Sequence, residues 1–403
     1  MRILHIIPGL TVERGGPSTV LDALTRHQVR AGHAVSVLTT DQGARHGERS
    51  LQLDSRVVVL RCRVAGPDRV AYAPGLRRAA QGLLRRADVL HLHSIFTYPI
   101  HAALSEAQRA SVPVILRPCG LLHQYSLKRT HLAKSLYLGW KGRTISETVA
   151  AWHYTSPNEA AESWPPGNRR QFVLGNGVDP DEFALDRNLA RDRVAARWPQ
   201  LAGFRYILFM ARLHPKKRVD LLLNAFLAAE LENFKLVVAG PDEEHLWEPL
   251  SRRLLARSTD RDRVLRLGTV VGDARRQLLA GAAAFALPSE HENFGIAALE
   301  ALAAGTAVLL SPHVDLAPAA GAAGLGCTAV LQVEVWCEQL ARLLSAGGEL
   351  RRKADHSRRW VREKFAWANI AGELTRRYQW VINGCPAEAS ALPAAPVTSS
   401  VID

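Results

Sequence analysis

The sequence predicts an α/β protein built from two doubly wound domains, and three observations predict that fold class. The chain has 403 residues, more than one hydrophobic core usually organises. Short apolar runs typical of buried strands, such as RILHII and YILFMAR, alternate with helix-like stretches along both halves, which favours parallel sheets covered by helices. Between the halves lies a turn-rich segment, 175–183.

The domain boundaries follow from that pattern. We expect an N-terminal domain over 1–178 and a C-terminal domain over 179–365. The final stretch, 383–403, is rich in proline, alanine and serine, and we expect it to be disordered. Because ligands of doubly wound sheets bind beyond the carboxyl ends of the strands, the expected site is the cleft across which the two domains face each other.

Composition and charge narrow the function classes. Hydrophobic residues make up 47% and charged residues 22% of the chain, as in soluble globular proteins, and no apolar run approaches the ~18 residues of a membrane span. The start, MRILHIIPGL, lacks the pattern of a signal peptide, so we expect a cytoplasmic protein. Five scattered cysteines without a CxxC pair argue against disulfides and zinc. The net charge of +13 indicates acidic partners, with nucleic acid, an anionic membrane and phosphorylated small molecules all open.

The first predicted strand is followed by ERGGPSTV, with Gly15 and Gly16 in the loop and Ser18 as the expected N-cap of the next helix. Such a glycine pair serves either as a simple turn or as a place where the backbone approaches a ligand, and the sequence leaves both open. Neither GxGxxG nor a P-loop pattern occurs, so the dinucleotide fingerprint and a P-loop nucleoside triphosphatase are unsupported.

Two histidines lie in the strand-like run DVLHLHS. His91 and His93 point to the same side because side chains alternate along a strand. His93, nearer the carboxyl end, is the better candidate for a ligand contact. A hydrogen-bonded place in the core is the favoured interpretation of His91.

A pair of cations follows the strand predicted at YILFMAR. Arg212 ends that strand, and Lys217 comes five residues later in a loop that Pro215 should keep from becoming helical. An arginine fork and a lysine point charge at the carboxyl end of a strand can neutralise a diphosphate. Taken alone, a solvated basic loop explains the same run.

The most informative stretch is SEHENFGIAALEALAAGTAVLL, where a predicted strand turns into a small-residue helix. Glu292, Asn293, Phe294 and Gly295 fall in the turn, where the unpaired N–H groups of the helix welcome an anion. Glu300 lies further along the helix, where a carboxylate can accept two hydrogen bonds from a vicinal diol such as a ribose. Two solvated glutamates on a surface helix are the alternative, which this strand–helix setting disfavours.

Two D-x-D patterns have the spacing of a divalent-metal site. Asp179 and Asp181 lie in the turn-rich segment, and Asp260 and Asp262 in a predicted loop at the opposite end of the sheet. We interpret both pairs as turn and capping residues, so we predict no metal site and no cofactor.

In this order, GGP, DxxHxH, NGVDxxxF, the arginine–lysine pair and the two glutamates resemble the retaining family 4 glycosyltransferases. RPCGLL and YTSPNEAAES look like the branch that assembles bacterial exopolysaccharide or lipopolysaccharide. The resemblance implies the GT-B fold of two Rossmann-like domains, with a terminal helix over 366–382 that packs back on the first domain. Cys119 departs from the pattern, because many relatives have arginine or histidine there.

The resemblance also implies roles in the second domain. Arg212 and Lys217 would hold the diphosphate of a sugar nucleotide without a metal, and Glu300 would bind its ribose. Glu292, with the backbone of the turn behind it, would contact the transferred sugar and its phosphate. Family members retain the anomeric configuration by front-face attack assisted by the leaving phosphate, so no dedicated base is required.

From the first domain, Gly16 would approach the diphosphate and His93 the reacting sugar or the acceptor. The predicted function is transfer of a sugar from a nucleoside-diphosphate-sugar donor to a growing, lipid-linked glycan, with retention. One alternative is a GT-B sugar-nucleotide epimerase, for which no pair of catalytic acids stands out. The other is a basic nucleic-acid-binding protein, which we disfavour because the basic residues are spread over many helices without a binding motif.

The segment LKRTHLAKSLYLGWKGR raises a question about the membrane. It places Leu132, Leu136 and Trp140 at helical spacing among basic residues. This suits either a helix lying on anionic lipid, at the cytoplasmic face of the inner membrane, or an amphipathic helix packed on its own domain. The interleaved basic residues are Lys128, Arg129, Lys134, Lys141 and Arg143.

Overall fold

The structure is a computed structural model, and it describes residues 1–12, 16–128, 131–165, 170–345 and 347–385. The chain divides into two compact units. Unit 1 holds Met1–Gly177 and the helix that starts at Trp367, and unit 2 holds Val178–Ala366. Gly15, and the part of the expected tail from 386 onward, lie outside the described residues.

Unit 1 is an α/β unit around one parallel sheet. Its strands are β1 (Arg2–Gly9), β2 (Ala34–Thr40), β3 (Val58–Cys62), β4 (Val89–His93), β5 (Val114–Arg117), β6 (Ala151–Tyr154) and β7 (Gln171–Val173). Its helices before the unit boundary are α1 (Gly16–Arg30), α2 (Leu76–Leu84), α3 (Tyr98–Ala110), α4 (Gln124–Lys128), α5 (His131–Thr148) and α6 (Pro157–Glu162). The described strands lie in the order β3-β2-β1-β4-β5-β6-β7.

Unit 2 repeats this plan. Its strands are β8 (Arg205–Met210), β9 (Phe234–Ala239), β10 (Val264–Leu267), β11 (Ala284–Leu287), β12 (Val308–Leu310) and β13 (Gly326–Thr328), in the order β10-β9-β8-β11-β12-β13. Its helices are α7 (Pro180–Phe183), α8 (Arg187–Arg197), α9 (Val219–Ala228), α10 (Trp247–Leu254), α11 (Ser258–Arg263), α12 (Gly272–Gly281), α13 (Ile296–Ala303), α14 (Ala317–Ala322), α15 (Val333–Ser345) and α16 (Gly347–Phe365). The predicted fold class, α/β with two doubly wound parallel sheets, is confirmed.

The last helix, α17 (Trp367–Ile382), belongs to unit 1. It packs against α1 and β4. Its buried face includes Leu374 and Tyr378, so the end of the described chain helps to cover the first sheet. No helix in the described ranges is long and apolar enough to span a membrane.

The strand order of each sheet reverses beside its first strand. In unit 1 the reversal lies between β1 and β4, and in unit 2 between β8 and β11. Loops that leave these neighbouring strands at their carboxyl ends go to opposite faces of the sheet and open a crevice, the usual ligand site of such folds. The fold therefore selects two positions, one in each unit, at which to look for function.

Two local predictions are wrong. Helix α1 begins at Gly16, so Ser18 is not its N-cap but is buried within its first turn. Pro17 fits in that turn because the first N–H groups of a helix need no internal acceptor. Asp260 and Asp262 lie on α11 rather than in a loop. Asp260 sits in the first turn of that helix, where a carboxylate is favoured by the helix dipole.

Candidate active site

The carboxyl end of β8 carries the predicted cation pair. Arg212 lies two residues beyond the strand, with its guanidinium exposed and 3.8 Å from the carboxylate of Glu243. The loop expected after it contains a short 3₁₀ turn, Pro215–Lys217. Proline fits at the start of that turn, where no N–H donor is needed, and the imidazole of His214 accepts the N–H of Lys216 at 3.1 Å.

Lys217 is buried and donates a hydrogen bond from its ammonium group to the carboxylate of Glu292, on the loop after β11. Burial lowers the pKa of Lys217 to about 7, and the charges of Lys216 and Arg212 act in the same direction. The touching carboxylate of Glu292 counters this by stabilising the charged amine. The carboxylates of Glu292 and Glu243 are therefore the anionic partners of the predicted cation pair.

A second contact joins the same two loops. Glu290 donates its backbone N–H to the carbonyl of Lys216 at 2.7 Å, and its carboxylate lies 3.1 Å from the guanidinium of Arg218. Arg218 itself adopts a left-handed conformation with φ of 48°. The loops after β8 and β11, which flank the switch point of unit 2, are therefore fastened together by main-chain and side-chain contacts.

Helix α13 begins directly behind this ion pair. Its N-cap, Gly295, has φ of 90°, and a Cβ atom there would lie 2.9 Å from a methyl group of Val314. Glycine is thus required by the backbone and by packing, in addition to the access for a phosphate that the sequence suggested. Phe294 is buried with its ring 6.0 Å from that of Phe365, so only its backbone, with that of Asn293, is available to the turn.

Glu300 lies inside α13, buried, with one carboxylate oxygen bound by the guanidinium of Arg275 on α12. Burial raises the pKa of Glu300, while the charge of Arg275 opposes that shift. Oxygen Oε2 is the one that Arg275 binds, and the described residues offer no hydrogen-bond partner to Oε1. The carboxylate is therefore held in place and keeps one oxygen for a ligand.

Two residues of this site escaped the sequence interpretation. Arg275 gives no local signal, because only the folded chain brings α12 beside α13. Gly240, directly after β9, has φ of 133°, and a Cβ atom there would lie 2.0 Å from the carbonyl oxygen of Ala211. The glycine in the sequence AGP at the end of that predicted strand could have indicated that the backbone of Gly240 closely approaches the loop of Arg212.

The switch point of unit 1 is built from histidines. His5 on β1 and His91 on β4 are register partners, and the rings of His91 and His93 lie 4.4 Å apart on the same face of the sheet. His91 is hydrogen bonded to Tyr378 of α17 at 2.8 Å, in line with its core interpretation. His93 is also buried and hydrogen bonded, to His5 at 3.0 Å, so it is less open than the sequence suggested.

The rest of this crevice is strained and cationic. Ser94, directly after β4, has φ of 87°, and Cys119, after β5, has φ of 55°, conformations that cost energy outside glycine. Arg117, the last residue of β5 and the register partner of His93, is buried and donates a hydrogen bond to Asn176. Gly16, at the start of α1, is half-buried.

Nitrogen atoms of His5, His91 and His93 lie within 4.8 Å of one another, close enough to hold a metal ion. Two observations weigh against that use. The facing nitrogens of His5 and His93 are already joined by a hydrogen bond. Burial lowers the pKa of His91 and His93, and the charge of the buried guanidinium of Arg117 adds to that lowering and would likewise repel a bound cation.

Two family models match the chain: "Glycosyl transferase 4-like domain" over residues 15–177 and "Glycosyl transferases group 1" over residues 204–346. Together they account for both units. The chain belongs to the family 4 glycosyltransferases. The predicted enzyme class, a hexosyltransferase-type glycosyltransferase, is confirmed.

Named relatives and solved structures agree with this assignment. The GDP-mannose:cellobiosyl-diphosphopolyprenol alpha-mannosyltransferase of Xanthomonas campestris is 27% identical over 80% of this chain and 82% of its own length. The enzyme of that name from Komagataeibacter xylinus is 27% identical over 97% and 96%. Anabaena HepE, solved in complex with UDP and glucose, aligns with a TM-score of 0.76 at 16% identity, over 94% of this chain and 99% of its own. That structural likeness shows the GT-B fold.

Proposed function

We propose that this glycosyltransferase moves a sugar from a nucleoside-diphosphate donor to a growing, lipid-linked glycan, with retention of the anomeric configuration. The observation that carries the proposal is Lys217, a buried ammonium at the switch point of unit 2, beside Arg212 and the N-terminus of α13. These are three sources of positive potential at one crevice. A diphosphate leaving group develops negative charge there, where it is stabilised most.

The ion pair between Lys217 and Glu292 gives each partner a role in the bound complex. An arriving diphosphate has more charge than one carboxylate, so it competes for the ammonium and frees Glu292 to accept hydrogen bonds from hydroxyls of the transferred sugar. Glu300, fixed by Arg275, uses its remaining oxygen for the ribose. The sugar C1–O bond to the diphosphate breaks, a C1–O bond to the acceptor forms on the same face, and the acceptor hydroxyl gives its proton to the departing phosphate oxygen.

The names of the relatives support the class of donor and acceptor. The Xanthomonas and Komagataeibacter enzymes are named for GDP-mannose and a diphosphopolyprenol-linked sugar, and HepE was solved with UDP. The chemistry common to both donors is a nucleoside diphosphate, which is what Lys217, Arg212 and Glu300 can recognise. An acceptor on a polyprenol carrier would place this enzyme in the assembly of exopolysaccharide or a related surface glycan.

Helix α5 supports a membrane-bound setting for that acceptor. Leu132, Leu136 and Trp140 are 77%, 70% and 75% exposed, so these side chains do not pack on their own unit. Lys141 lies 3.9 Å over the ring of Trp140, and Arg143 is exposed on the same helix. Lys134 turns inward to the carbonyl of Ser126, and Arg129 lies outside the described residues. An apolar stripe bordered by cations matches an anionic bilayer surface, and we propose that α5 docks there peripherally.

The donor site is tested by binding. Thermal shift in EDTA against UDP, GDP and ADP should give stabilisation by at least one of them, since a ligand that binds the folded state raises stability by mass action. Lys217→Ala and Glu300→Gln should reduce the shift at the same nucleotide concentration. Lys235→Ala, near the amino end of β9, is the matched control and should keep it. Stabilisation that needs Mn²⁺ or Mg²⁺ would contradict the metal-independent proposal.

The reaction itself is tested with the donor so identified and a polyprenyl-diphosphate-linked acceptor. The product should carry the anomeric configuration of the donor, as read from its proton coupling constants. Inversion would contradict retention. Consumption of the donor into an epimeric sugar without any acceptor would favour the epimerase alternative instead.

The membrane surface is tested with vesicles. Co-sedimentation should rise with the anionic lipid fraction and fall with salt, and Leu136→Ser with Trp140→Ser should abolish it. Val330→Ser, which removes a similarly exposed apolar side chain from unit 2, is the control. Vesicle binding equal for neutral and anionic lipid, or a stripe that is buried in a dimer instead, would contradict the proposal.

A further inference from the structure

Six buried side chains of unit 1 form one connected set of hydrogen bonds. We call this set the histidine chain; its members are His153, His91, Tyr378, Gln28, His5 and His93. It begins at a group whose role is fixed, the backbone carbonyl of Leu174, which lies 2.9 Å from Nε2 of His153. A carbonyl can only accept, so Nε2 of His153 carries the proton.

The first half of the chain follows from that end. In a neutral imidazole one nitrogen donates and the other accepts, so Nδ1 of His153 accepts from Nε2 of His91 at 3.3 Å. Nδ1 of His91 is then an acceptor, and the hydroxyl of Tyr378 donates to it at 2.8 Å. The single proton of that hydroxyl is now used.

The second half is equally determined. The oxygen of Tyr378 can only accept from Gln28, whose amide nitrogen lies 3.2 Å away. This orients the amide so that its oxygen faces Nε2 of His5 at 2.8 Å and accepts from it. Nδ1 of His5 is therefore an acceptor and receives the Nε2–H of His93 at 3.0 Å.

The chain needs all four imidazoles to be neutral, and their surroundings favour this. Burial lowers the pKa of His5 to about 4 and that of His153 to about 3. Burial also lowers the pKa of His91 and His93 well below the usual value. The cation of Arg117 adds to the effect on His91, His93 and His153.

We propose that the histidine chain holds His93 as the Nε2–H tautomer, and that its bare Nδ1 accepts a hydrogen bond from a hydroxyl of the sugar donor or acceptor. His93 is the last residue of β4, at the switch point, and the described residues offer Nδ1 no hydrogen-bond partner. The left-handed Ser94 that follows turns the backbone away directly after it. His93 is the substrate contact, and the five residues behind it are positioning residues. The hydroxyl contact rests on the proposed function, whereas the tautomer does not.

The tautomer can be read directly. Wild-type protein labelled with ¹⁵N-histidine should show, in long-range proton–nitrogen spectra at neutral pH, a His93 ring with protonated Nε2 and bare Nδ1, assigned by loss of its signals in His93→Asn. A protonated Nδ1, an imidazolium, or fast exchange between tautomers would overturn the proposal whatever the enzyme transfers. Stoichiometric Co²⁺ binding with a ligand-field spectrum, lost in His5→Gln, would overturn it in favour of a metal site.

Two variants test the positioning residues. Tyr378→Phe removes the one hydroxyl that joins the two halves, so His93 should lose its single tautomer and kcat should fall about tenfold, the equivalent of one hydrogen bond. Tyr72→Phe, which removes a hydroxyl from an exposed tyrosine of the same unit, is the control and should change neither. An unchanged His93 spectrum in the Tyr378→Phe protein would overturn the proposal that the histidine chain sets the tautomer of His93.

Replacement of His93 separates its role from that of the fold. His93→Asn puts an amide oxygen near the position of Nδ1, so it should keep more activity than His93→Leu, which offers no acceptor and should lose about a hundredfold in kcat. Equal losses in the two variants would overturn the hydroxyl contact. A confirmed tautomer in a protein without transferase activity would instead count against the proposed function alone.

Discussion

The two switch points of this protein occupy equivalent places in two similar sheets, but their chemistry is opposite. That of unit 2 is ionic, with Lys217 against Glu292 and Arg275 against Glu300. That of unit 1 is a set of imidazoles that burial keeps neutral. We propose that the same backbone plan supports one site for a charged group in unit 2 and one for uncharged hydroxyls in unit 1, where the buried cation of Arg117 lies beside the imidazoles.

The contrast teaches how the fold divides the work of glycosyl transfer. Negative charge develops on the diphosphate, so the charged side chains belong with the donor phosphate. Hydroxyls are recognised by a lone pair held in a fixed direction, and a neutral, tautomer-locked imidazole provides that without attracting the diphosphate. If this division is correct, changes of charge should matter most in unit 2, and changes of hydrogen-bond direction most in unit 1.

The largest expected effect is on catalysis in unit 2. Lys217→Ala removes the cation that we propose faces the leaving group, so kcat/KM should fall by roughly 10²–10³, or about 3–4 kcal/mol, by comparison with loss of an oxyanion donor. Steady-state kinetics with saturating acceptor will measure it. Lys235→Ala should retain wild-type kinetics. A Lys217→Ala enzyme with kcat/KM within threefold of wild type would contradict the proposal that the charged switch point of unit 2 stabilises the leaving diphosphate.

The next effect concerns the stability of unit 1. Histidines that are neutral in the folded chain but free to protonate when unfolded make the unfolded state bind more protons below about pH 6.5. The free energy of unfolding should therefore be highest above about pH 6.5. It should fall as the pH drops from there to about 4, where His5 protonates in the folded protein. His5 alone corresponds to about 3 kcal/mol. Urea unfolding across this range tests it, with the exposed His356→Gln as control. A flat profile would show that these imidazoles are solvated.

A smaller effect separates binding from chemistry. Glu300→Gln keeps the shape of the side chain but removes the charge that binds Arg275 and that we propose binds the ribose, so the donor KM should rise about tenfold while kcat changes little. Wild type should bind a donor nucleotide lacking both ribose hydroxyls about as weakly as the variant binds the intact one. Glu338→Gln, on the surface of α15, is the control. A fall in kcat without a change in KM would assign Glu300 to the chemistry instead.

The sequence predicted much of the fold and part of the site. Alternating apolar runs and helices identify parallel sheets because buried strands are apolar on both faces. Glu292, Gly295 and Glu300 were selected as candidates because a strand–helix turn has few uses for glycine and carboxylates together. Such signals lie within one short segment, so they can be recognised without knowing which distant residues that segment contacts.

What the sequence could not predict depends on contacts between distant segments. Tyr378 meets His91 across 287 positions, and Gln28 meets Tyr378 across 350. No spacing rule predicts such pairs, so the histidine chain could not be predicted from the sequence. For the same reason, the sequence analysis overestimated the solvent exposure of His93. Arg275 was missed for the same reason, since its role depends on its contact with the carboxylate of Glu300 on α13.

The last expected effect, no larger than that of Glu300→Gln within one pH unit above 7, is a pH profile that distinguishes the two partners of the ion pair in unit 2. Lys217 has a pKa near 7, so kcat/KM for the donor should decline above about pH 7 by roughly tenfold per pH unit as the ammonium is lost. The profile of kcat should be flatter, because a bound diphosphate stabilises the charged amine. Glu292→Gln removes the carboxylate that supports the charge and should move this alkaline limb to lower pH, whatever it does to the maximal rate. Lys217→Arg, charged throughout, should abolish the limb. An alkaline limb that persists in Lys217→Arg would belong to another group and would remove Lys217 from the phosphate site.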